Sequence, residues 1–468
     1  MTPYAFSLQD PDLIRSLYIL AFVLFIVGMR LLNHPSSARR GNWVAAVGMT
    51  VAVGATLLQR ETGDFALIAL GIAVGTAVGV PAARSVKMTA MPQMVALFNG
   101  VGGGAVALIA WVEFRDTGGG LPTDEIIPLV FAAVVGSVSF WGSNVAFAKL
   151  QEILPGRPIQ LPGQQAINAL LALIAVGSAV ALAAGSESEG LFILLLVSAA
   201  VLGNMFVLPI GGADMPVVIS LLNAFTGLSA AAAGIALDNV ALIVGGIIVG
   251  ASGTILTNLM ADAMNRSIAN VFAGGFGGVK VAGGGDGDAE QRPVRSTDAA
   301  DAAIQLAYAS KVVVAPGYGM AVAQAQHTVR ELADELEKRG VQVDYAIHPV
   351  AGRMPGHMNV LLAEADVPYE NLKEMDEINP EFPQTDVTLV IGANDVTNPA
   401  AREQTDSPIY GMPILDVDKS EQVIVLKRSM NTGFAGIDNP LFYNENTALL
   451  FGDAKQSVAA VLAAVKDL

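Results

Sequence analysis

Hydrophobic residues follow two patterns in this chain, and the change falls near residue 262. Before that point, apolar runs long enough to cross a bilayer, which takes about 20 residues, are separated by short polar connections. The runs predict nine membrane spans, of which the second is the shortest. They are Leu13–Leu32, Trp43–Leu58, Phe65–Ala83, Pro92–Val112, Ile126–Ala148, Ala166–Ala184, Leu191–Ile210, Pro216–Leu237 and Val240–Ala261.

Beyond residue 292 the apolar runs become short, and they alternate with segments of helical periodicity. This alternation predicts an α/β doubly wound, Rossmann-like domain with a parallel sheet. Its predicted elements are Asp298–Ser310 (helix), 312–315 (strand), Met320–Arg339 (helix), Gln342–His348 (strand), Asn359–Glu364 (helix), Val387–Ile391 and Gln422–Leu426 (strands), Ala448–Phe451, and Ala454–Val465 (helix). The predicted organisation is a polytopic α-helical membrane domain over 1–262, a glycine-rich linker over 263–292 and a soluble domain over 293–468.

Composition supports a membrane protein. Of 468 residues, 53% are hydrophobic and 15% are charged, against roughly 25% charged in an ordinary soluble domain. The net charge of −16 excludes a basic surface for nucleic acid. No cysteine is present, which excludes disulfides, thiolate metal sites and a cysteine nucleophile. The first 13 residues lack a basic n-region and a cleavage site, so the first span is predicted to be retained.

Charges in the predicted connections alternate in sign along the chain. Basic residues mark one side: Arg30, Arg39, Arg40, Arg84, Lys87, Lys149 and Arg157. Acidic residues dominate the other side: Glu61, Asp64, Glu113, Asp116, Asp124, Glu125, Glu187 and Glu189. The positive-inside rule then places the N-terminus outside and, after nine spans, the soluble domain inside.

Ionisable residues are absent from the interior of every predicted span, although such residues usually mark ion or proton relays. Uncharged polar residues do occur there: Asn99, Asn144, Asn168, Asn204, Asn223, Ser252 and Asn258. Spacing alone favours interhelical hydrogen bonding. A hydrated path through the membrane is the alternative.

The segment KVVVAPGYGMAVAQAQ at 311–326 carries the clearest chemical signal. A β-branched strand runs into a glycine turn and then into a helical segment, the order that a nucleotide pyrophosphate requires. The motif is G-x-G-x-x-V, with Val322 where the usual fingerprint has a third glycine. It predicts a dinucleotide site, and an ordinary strand-to-helix turn is the alternative.

Two further strand ends carry polar clusters, at Gly392–Asp395 and at Lys427–Ser429. Ligands of parallel sheets bind at the carboxyl ends of the strands, so these clusters strengthen the prediction of a dinucleotide site. The second strand ends at His348 without the acid that usually holds the ribose of NAD. Two cations and a hydroxyl at 427–429 suit the 2′-phosphate of NADP instead.

Several longer motifs resemble one family, the β subunit of proton-translocating NAD(P) transhydrogenase of the Re/Si-specific type. They are GYGMAVAQAQ at 317–326, HPVAGRMPGHMNV at 348–360, GAND at 392–395, KRSMNTG at 427–433, GGADMPVV at 211–218 and MNRS at 264–267. The resemblance covers essentially the whole chain. It implies NADP(H) on this chain, NAD(H) on a partner α subunit, hydride transfer between the two nicotinamides, and proton movement through the membrane helices.

The resemblance also implies residue roles in the soluble domain. Cofactor contacts are expected from Gly317, Tyr318, Gly319, Met320, Ala321, Val322, Val350, Ala351, Gly352, Arg353, Met354, Gly392, Ala393, Asn394, Asp395, Lys427, Arg428, Ser429, Gly433, Phe434, Ala435 and Asp453. Asp395 is the candidate for the catalytic and coupling role. The loop through Gly436 is expected to act as a lid, and Phe434 stands where many members have tyrosine.

In the membrane domain, Asn99 occupies a position where some members carry a titratable histidine. An amide does not take up a proton near neutral pH. We therefore hypothesise a water path past Asn99, Asn223 and Ser252, with the ionisable group on the partner subunit and Asp214 linking the path to the soluble domain. The resemblance further implies a dimer of αβ assemblies in the bacterial inner (cytoplasmic) membrane, with the C-terminal domain cytoplasmic.

Two other functional classes remain open from the sequence. One is a channel or carrier regulated by a cytosolic dinucleotide-binding domain, although no potassium-filter motif lies between the spans. The other is a membrane-anchored NADP reductase that moves no protons. Dependence of turnover on an imposed proton gradient separates the latter from a transhydrogenase.

Overall fold

The structure is a computed structural model. It describes residues 9–33, 35–59, 63–87, 90–155, 158–211, 214–264, 268, 294–352, 356–405, 407, 409–433 and 437–468. Arg353, Met354, Phe434 and Ala435, which the sequence predicts as cofactor contacts, lie outside these residues. So does most of the predicted linker. The predicted domain boundaries therefore remain predictions.

Nine long helices make up the described part of the membrane domain. Their bounds are α1 Pro11–Leu32, α2 Pro35–Leu57, α3 Phe65–Ser85, α4 Met91–Asp116, α5 Thr123–Leu150, α6 Gln164–Ala183, α7 Glu189–Val207, α8 Met215–Ala236 and α9 Val240–Ala263. Eight of the described helices are long and apolar enough to cross a membrane, and α2 is the exception. Its early turns carry Arg39 and Arg40, which lower its hydropathy.

Helix α8 is the most buried of the nine described helices, with 61% of its apolar window inside the protein. Small residues allow this close packing. A Cβ on Gly227 of α8 would lie 2.3 Å from the backbone nitrogen of Gly250 in α9, so only glycine fits there. Helix α3, in contrast, has no buried residue. The membrane domain is therefore organised around α8.

The soluble domain alternates strands and helices. Its elements are α10 Ala299–Ala307, β1 Lys311–Pro316, α11 Tyr318–Val322, α12 Gln326–Lys338, β2 Gln342–Ile347, α13 His357–Glu364, β3 Leu372–Glu374, α14 Met375–Ile378, β4 Val387–Ile391, α15 Ala400–Glu403, β5 Gln422–Lys427, β6 Thr447–Phe451 and α16 Ala454–Asp467. Short 3₁₀ turns lie between several of them.

The six described strands form one parallel sheet in the order β3-β2-β1-β4-β5-β6. This is the Rossmann order, and the predicted fold class is confirmed. The chain reverses its direction of winding between β1 and β4, where Pro316 pairs with Ile391. Apolar residues on one face of the sheet are buried under α10, α12, α13 and α16, and those on the other face under α14 and short 3₁₀ turns. A crevice for a ligand is expected outside the carboxyl ends of β1 and β4.

Two local predictions differ from the structure. The predicted helix 320–339 is two helices, because Gln324 adopts a left-handed conformation with φ 51° and so interrupts the helical hydrogen bonds between α11 and α12. The edge strand β3 was not predicted. It has three residues, too few to show a strand pattern in the sequence.

Candidate dinucleotide and membrane sites

The glycine turn after β1 lies directly against the turn after β4. Gly317 N–H donates to the carbonyl of Ile391 at 2.9 Å, and Gly319 N–H donates to the carbonyl of Gly392 at 2.9 Å. A Cβ on Gly317 would lie 2.4 Å from the backbone of Ala393. Gly392 has φ +66°, and its Cβ would lie 2.4 Å from the Cα of Gly319. The predicted glycine motif and the predicted GAND motif are thus brought together in backbone contact.

The residues that follow Gly319 contribute unequally to the crevice. The side chains of Met320 and Ala321 are fully buried in the core, so only their backbones are available to a ligand. Val322 is 48% exposed and ends α11. Because α11 stops here, no close approach of helix to sheet requires a glycine at this position. The departure from the usual fingerprint therefore has a local structural reason.

Loop residues downstream of β5 cover the end of β4. A Cβ on Gly433 would lie 2.6 Å from Asp395 Oδ1 and 2.8 Å from Asn394 Nδ2. Asn439 holds the same turn from another side, since its Nδ2 donates to the carbonyl of Asn394 at 3.1 Å and to Asn394 Oδ1 at 3.0 Å. Asn439 was not among the predicted site residues. The segment after β5 and the turn after β4 form one packed unit.

Lys427 ends β5 beside this unit. Its ammonium donates to the carbonyl of Asn431 at 2.7 Å and lies 4.5 Å from the ring centroid of Phe442. Burial lowers the pKa of Lys427, and the carboxylates of Asp395 and Asp438 oppose that shift. Lys427 is thus held by contacts of its own chain. Arg428 and Ser429, the other two residues of the predicted phosphate cluster, are exposed.

A histidine organises the turn after β2. His348 Nδ1 accepts from Val350 N–H at 3.2 Å, so its Nε2 carries the proton and donates to the carbonyl of Pro413 at 2.8 Å. Burial lowers the pKa of His348 to about 4, partly opposed by the bond to Pro413. Ala351 N–H donates back to the carbonyl of His348 at 3.0 Å. Sequence analysis noted only that β2 ends without an acid and missed this anchoring role.

The next residue of the turn, Gly352, adopts φ +111°, and a Cβ there would lie 2.4 Å from His357 Nδ1. A left-handed backbone and the imidazole together require glycine at this position. The His357 ring lies 6.3 Å from the ring of Tyr318. The predicted residue Gly352 is therefore linked through His357 to Tyr318 of the first glycine turn.

Asp453 follows β6, the strand at the far edge of the sheet. Its carboxylate accepts from the backbone N–H groups of Lys455 and Gln456 at 3.1 and 3.2 Å and so caps α16. This is the ordinary role of an N-cap aspartate. Contact between Asp453 and a cofactor stays a prediction.

In the membrane domain, Asn99 of α4 joins a hydroxyl network. Its Nδ2 donates to Ser143 Oγ at 2.9 Å and approaches Ser139 Oγ at 3.4 Å. Ser139 Oγ in turn contacts the carbonyl of Leu222 at 2.9 Å and the hydroxyl of Thr226 at 2.6 Å. Asn99 is 9% exposed, and its Oδ1 has no hydrogen-bond partner within the described part of the chain.

The other predicted path residues have no described contact with Asn99. Asn223 follows Leu222 on α8 and is half-buried, and Ser252 is half-buried on α9. Asp214 immediately precedes α8. The network members Ser139 and Ser143 were missed, although their spacing of four residues places them on one face of α5.

One titratable group that the sequence placed in a connection is helical and buried. Lys149, predicted to lie in a connection, belongs to the last turn of α5 and is 3% exposed. The apolar run ends one residue earlier, but the helix continues to Leu150. Burial of this cation depends on the neighbouring helices, which a hydropathy pattern does not contain.

The soluble domain and the membrane domain share a cavity of about 230 Å³. Its walls include Leu256 and Met260 at the end of α9, and Ile347 and Val350 at the end of β2. The turn that His348 organises thus faces the C-terminal end of α9.

A set of apolar helices that can cross a membrane, followed by a parallel sheet in Rossmann order, defines a polytopic membrane protein with a Rossmann-like domain. The family model for the NAD(P) transhydrogenase beta subunit matches residues 14–464, and the chain belongs to this family. It is 49% identical over 464 residues to the NAD(P) transhydrogenase subunit beta of Rhodospirillum rubrum, covering 97% of this chain and 99% of the relative. The protein of that name from R. rubrum strain ATCC 11170 matches equally well.

Proposed function

We propose that this chain is the NADP(H)-binding subunit of a Re/Si-specific transhydrogenase that transfers hydride between NAD(H) and NADP(H) and couples this transfer to proton translocation. The observation that carries the proposal is the backbone contact of Gly317 and Gly319 with Gly392 at the reversal point of the sheet. Family membership supports it, because the family is that of the transhydrogenase beta subunit.

The residues of the crevice fit NADP(H). The glycine turn after β1 and the turn after β4 meet at the carboxyl ends of their strands, which is where the pyrophosphate of a dinucleotide binds in this fold. Lys427, Arg428 and Ser429 supply two positive charges and a hydroxyl on the neighbouring strand end, which suit a 2′-phosphate. When bound, the dinucleotide supplies the hydride chemistry itself. The protein's part is to orient the dinucleotide and to exclude water.

Asp395 takes the coupling role in this proposal. Its carboxylate lies beneath Gly433, at the base of the segment that follows Lys427. A lid formed by this segment would move against Asp395 as the nucleotide enters and leaves. The shared cavity places the end of α9 next to Val350, in a turn that is predicted to contact the cofactor. Such a two-state element is what coupling between distant sites requires.

Asn99 marks the middle of the proposed proton path. Its buried Oδ1 is an acceptor suited to a water, and Ser139, Ser143 and Thr226 extend the chain of hydroxyls beside it. Hydroxyl and amide groups do not take up a proton near neutral pH. The ionisable group that takes up the proton is therefore assigned to the partner subunit. Asn223, Ser252 and Asp214 complete the proposed path toward the soluble domain.

The proposed assembly is a dimer of αβ units in the bacterial inner (cytoplasmic) membrane, with NAD(H) bound by the α subunit. The name of the family implies an α partner. The basic residues Arg84 and Lys87 at the end of α3 support a cytoplasmic C-terminal domain, since basic connections lie on the inner side of a membrane.

The proposal is tested with the chain co-expressed with its α subunit and reconstituted into vesicles. NADPH formation from NADH is followed with and without an imposed proton gradient, and NADPH and NADH are titrated against the same complex. We expect the gradient to accelerate NADPH formation and NADPH to bind this chain far more tightly than NADH. Gradient-independent turnover would identify a reductase, and equal affinity for the two nucleotides would contradict the NADP site.

A further inference from the structure

Lys149 is a buried cation at the inner end of α5. Transfer of an ammonium group from water into the protein interior costs several kcal/mol unless the group is fully hydrogen-bonded or paired. Ionisable groups within membrane helices are functional candidates for this reason. The identity of its contacts therefore decides what Lys149 does.

The ammonium binds the end of a neighbouring helix. Lys149 Nζ donates to the carbonyl of Ile210 at 2.7 Å and also to the carbonyl of Leu208. Leu208 is the C-cap of α7, and its carbonyl additionally accepts from Ile159 N–H at 3.0 Å. A cation at a helix C-terminus meets the negative end of the helix dipole. Lys149 thus holds the last carbonyls of α7 against α5.

The held segment leads directly into α8. Residues 208–211 follow the end of α7, and the N–H of Asp214, which precedes α8, donates to the carbonyl of Gly211 at 3.1 Å. Helix α8 then carries the Leu222 carbonyl and the Thr226 hydroxyl that bind Ser139 of α5. Helices α5 and α8 are therefore connected twice, at the hydroxyl network and through the segment that Lys149 holds.

We propose that Lys149 is a positioning residue for proton translocation, whose charge fixes residues 208–211, and with them Asp214 and the start of α8, against α5. This inference rests on the proposed function. A displaced connector would shift Asp214 and the inner end of α8 relative to the network around Asn99. Hydride transfer takes place in the soluble domain and does not need this contact.

The test compares Lys149→Gln and Lys149→Arg in the reconstituted αβ complex. Glutamine keeps two N–H donors and removes the charge, whereas arginine keeps the charge. The matched control is Ser137→Ala, because Ser137 Oγ donates to the Leu196 carbonyl at 3.0 Å and is a neutral contact between the same two helices. The readouts are the acceleration of NADPH formation by a proton gradient, the rate without a gradient, NADPH affinity, and hydrogen exchange of the amides in 208–214.

We expect the Gln variant to lose the gradient response by about tenfold, equivalent to about 1.4 kcal/mol, and to exchange its 208–214 amides faster. Its gradient-independent rate and NADPH affinity should match the parent. The Arg variant should restore the response, and Ser137→Ala should behave as the parent does.

A Gln variant with parental gradient response and parental exchange would overturn the proposal. If neither Lys149 variant assembles, Lys149 is a folding residue, and the proposal is also overturned. If only the Arg variant assembles, retention of its gradient response supports the proposal and loss contradicts it. Absence of any gradient response in the parent would instead refute the proposed function, and the exchange of 208–214 would still decide whether Lys149 positions the connector.

Discussion

Gly433 lies on Asp395 so closely that a methyl group at position 433 would be 2.6 Å from the Asp395 carboxylate oxygen Oδ1. The two residues come from different strand ends, 38 positions apart in the sequence. Their contact joins the turn after β4 to the segment after β5. Movement of Gly433 toward the turn after β4 would therefore displace the Asp395 carboxylate, which has the coupling role in the proposed function.

The substitution Gly433→Ala tests this contact. The added methyl must push the segment away from Asp395, so we expect NADPH to bind about tenfold more weakly, a loss of about 1.4 kcal/mol. Calorimetric titration of the αβ complex measures the change. Gly177→Ala is the control, because a Cβ there would have nothing within 4 Å. Parental affinity in Gly433→Ala would show that the contact plays no part in binding.

Alkaline pH should weaken NADPH binding through Lys427. Burial lowers the pKa of this residue in the free protein, so its ammonium loses its proton below the usual pH of lysine deprotonation. A bound phosphate favours the charged form. Affinity should therefore fall as pH rises through the lowered pKa, with uptake of a proton on binding.

The variant Lys427→Arg should flatten this dependence, because arginine stays charged throughout the range. The same titration repeated at several alkaline pH values, in buffers of different ionisation enthalpy, measures affinity and proton uptake together. An unchanged pH profile in Lys427→Arg would remove Lys427 from the phosphate site.

His348 should make the turn after β2 sensitive to acid. Its pKa is lowered to about 4 by burial, whereas an exposed histidine titrates near 6.5. Between these pH values, His348 is protonated when the turn is opened to water and neutral when the turn is folded. Stability of the turn should therefore fall as pH drops from about 6.5 to about 4, by roughly 2 kcal/mol at pH 5, and change no further through this group below that.

The variant His348→Gln provides the comparison. A glutamine side chain can donate to the Pro413 carbonyl and accept from Val350 N–H without titrating. Hydrogen exchange of amides 345–351 at pH 7 and pH 5 should show acid sensitivity in the parent that is smaller in the variant. Equal acid sensitivity in the parent and the variant would assign the effect to neighbouring carboxylates and not to His348.

Removing the Asn99 amide should impair proton translocation more than hydride transfer. Asn99→Ala deletes the bond to Ser143 Oγ and the buried acceptor Oδ1. We expect proton pumping, followed by a pH-sensitive dye inside vesicles, to fall at least about fivefold, and Asn223→Ala to have a similar effect. Ser198→Ala is the control, since Ser198 Oγ binds only the Leu195 carbonyl of its own helix among the described contacts. Pumping at the parental rate would show that the path lies elsewhere.

The parts of the candidate dinucleotide site were predictable from the sequence because each of them is local. A β-branched run followed by Gly317 and Gly319 is typical of a strand and a tight turn whatever surrounds it. The GAND and KRS clusters were recognised in the same way. Their contacts were not predictable, because the approach of Gly392 to Gly319 depends on which strands are neighbours. Asn439 was missed for that reason, since asparagine in a loop is usual.

In the membrane domain, hydropathy predicted where each helix lies but not what it faces. Hydropathy is averaged over a whole stretch of sequence. It therefore indicates that a helix can cross the bilayer, but not which of its faces is buried by other helices. Lys149 shows the difference, because its position one residue beyond an apolar run resembles an ordinary inner-side lysine. Ser139 and Ser143 likewise became a site only when α4 and α8 were placed beside α5.

The amino-acid sequence by itself determined the two-part organisation, the helical spans, the parallel α/β fold and the chemistry available at each strand end, because all of these follow from short-range periodicity and residue type. Only the tertiary structure decided which groups meet: Gly433 with Asp395, His348 with Pro413, and Lys149 with the end of α7. Those contacts join residues far apart in the chain, and they form only when packing of helices and strands excludes water from between them.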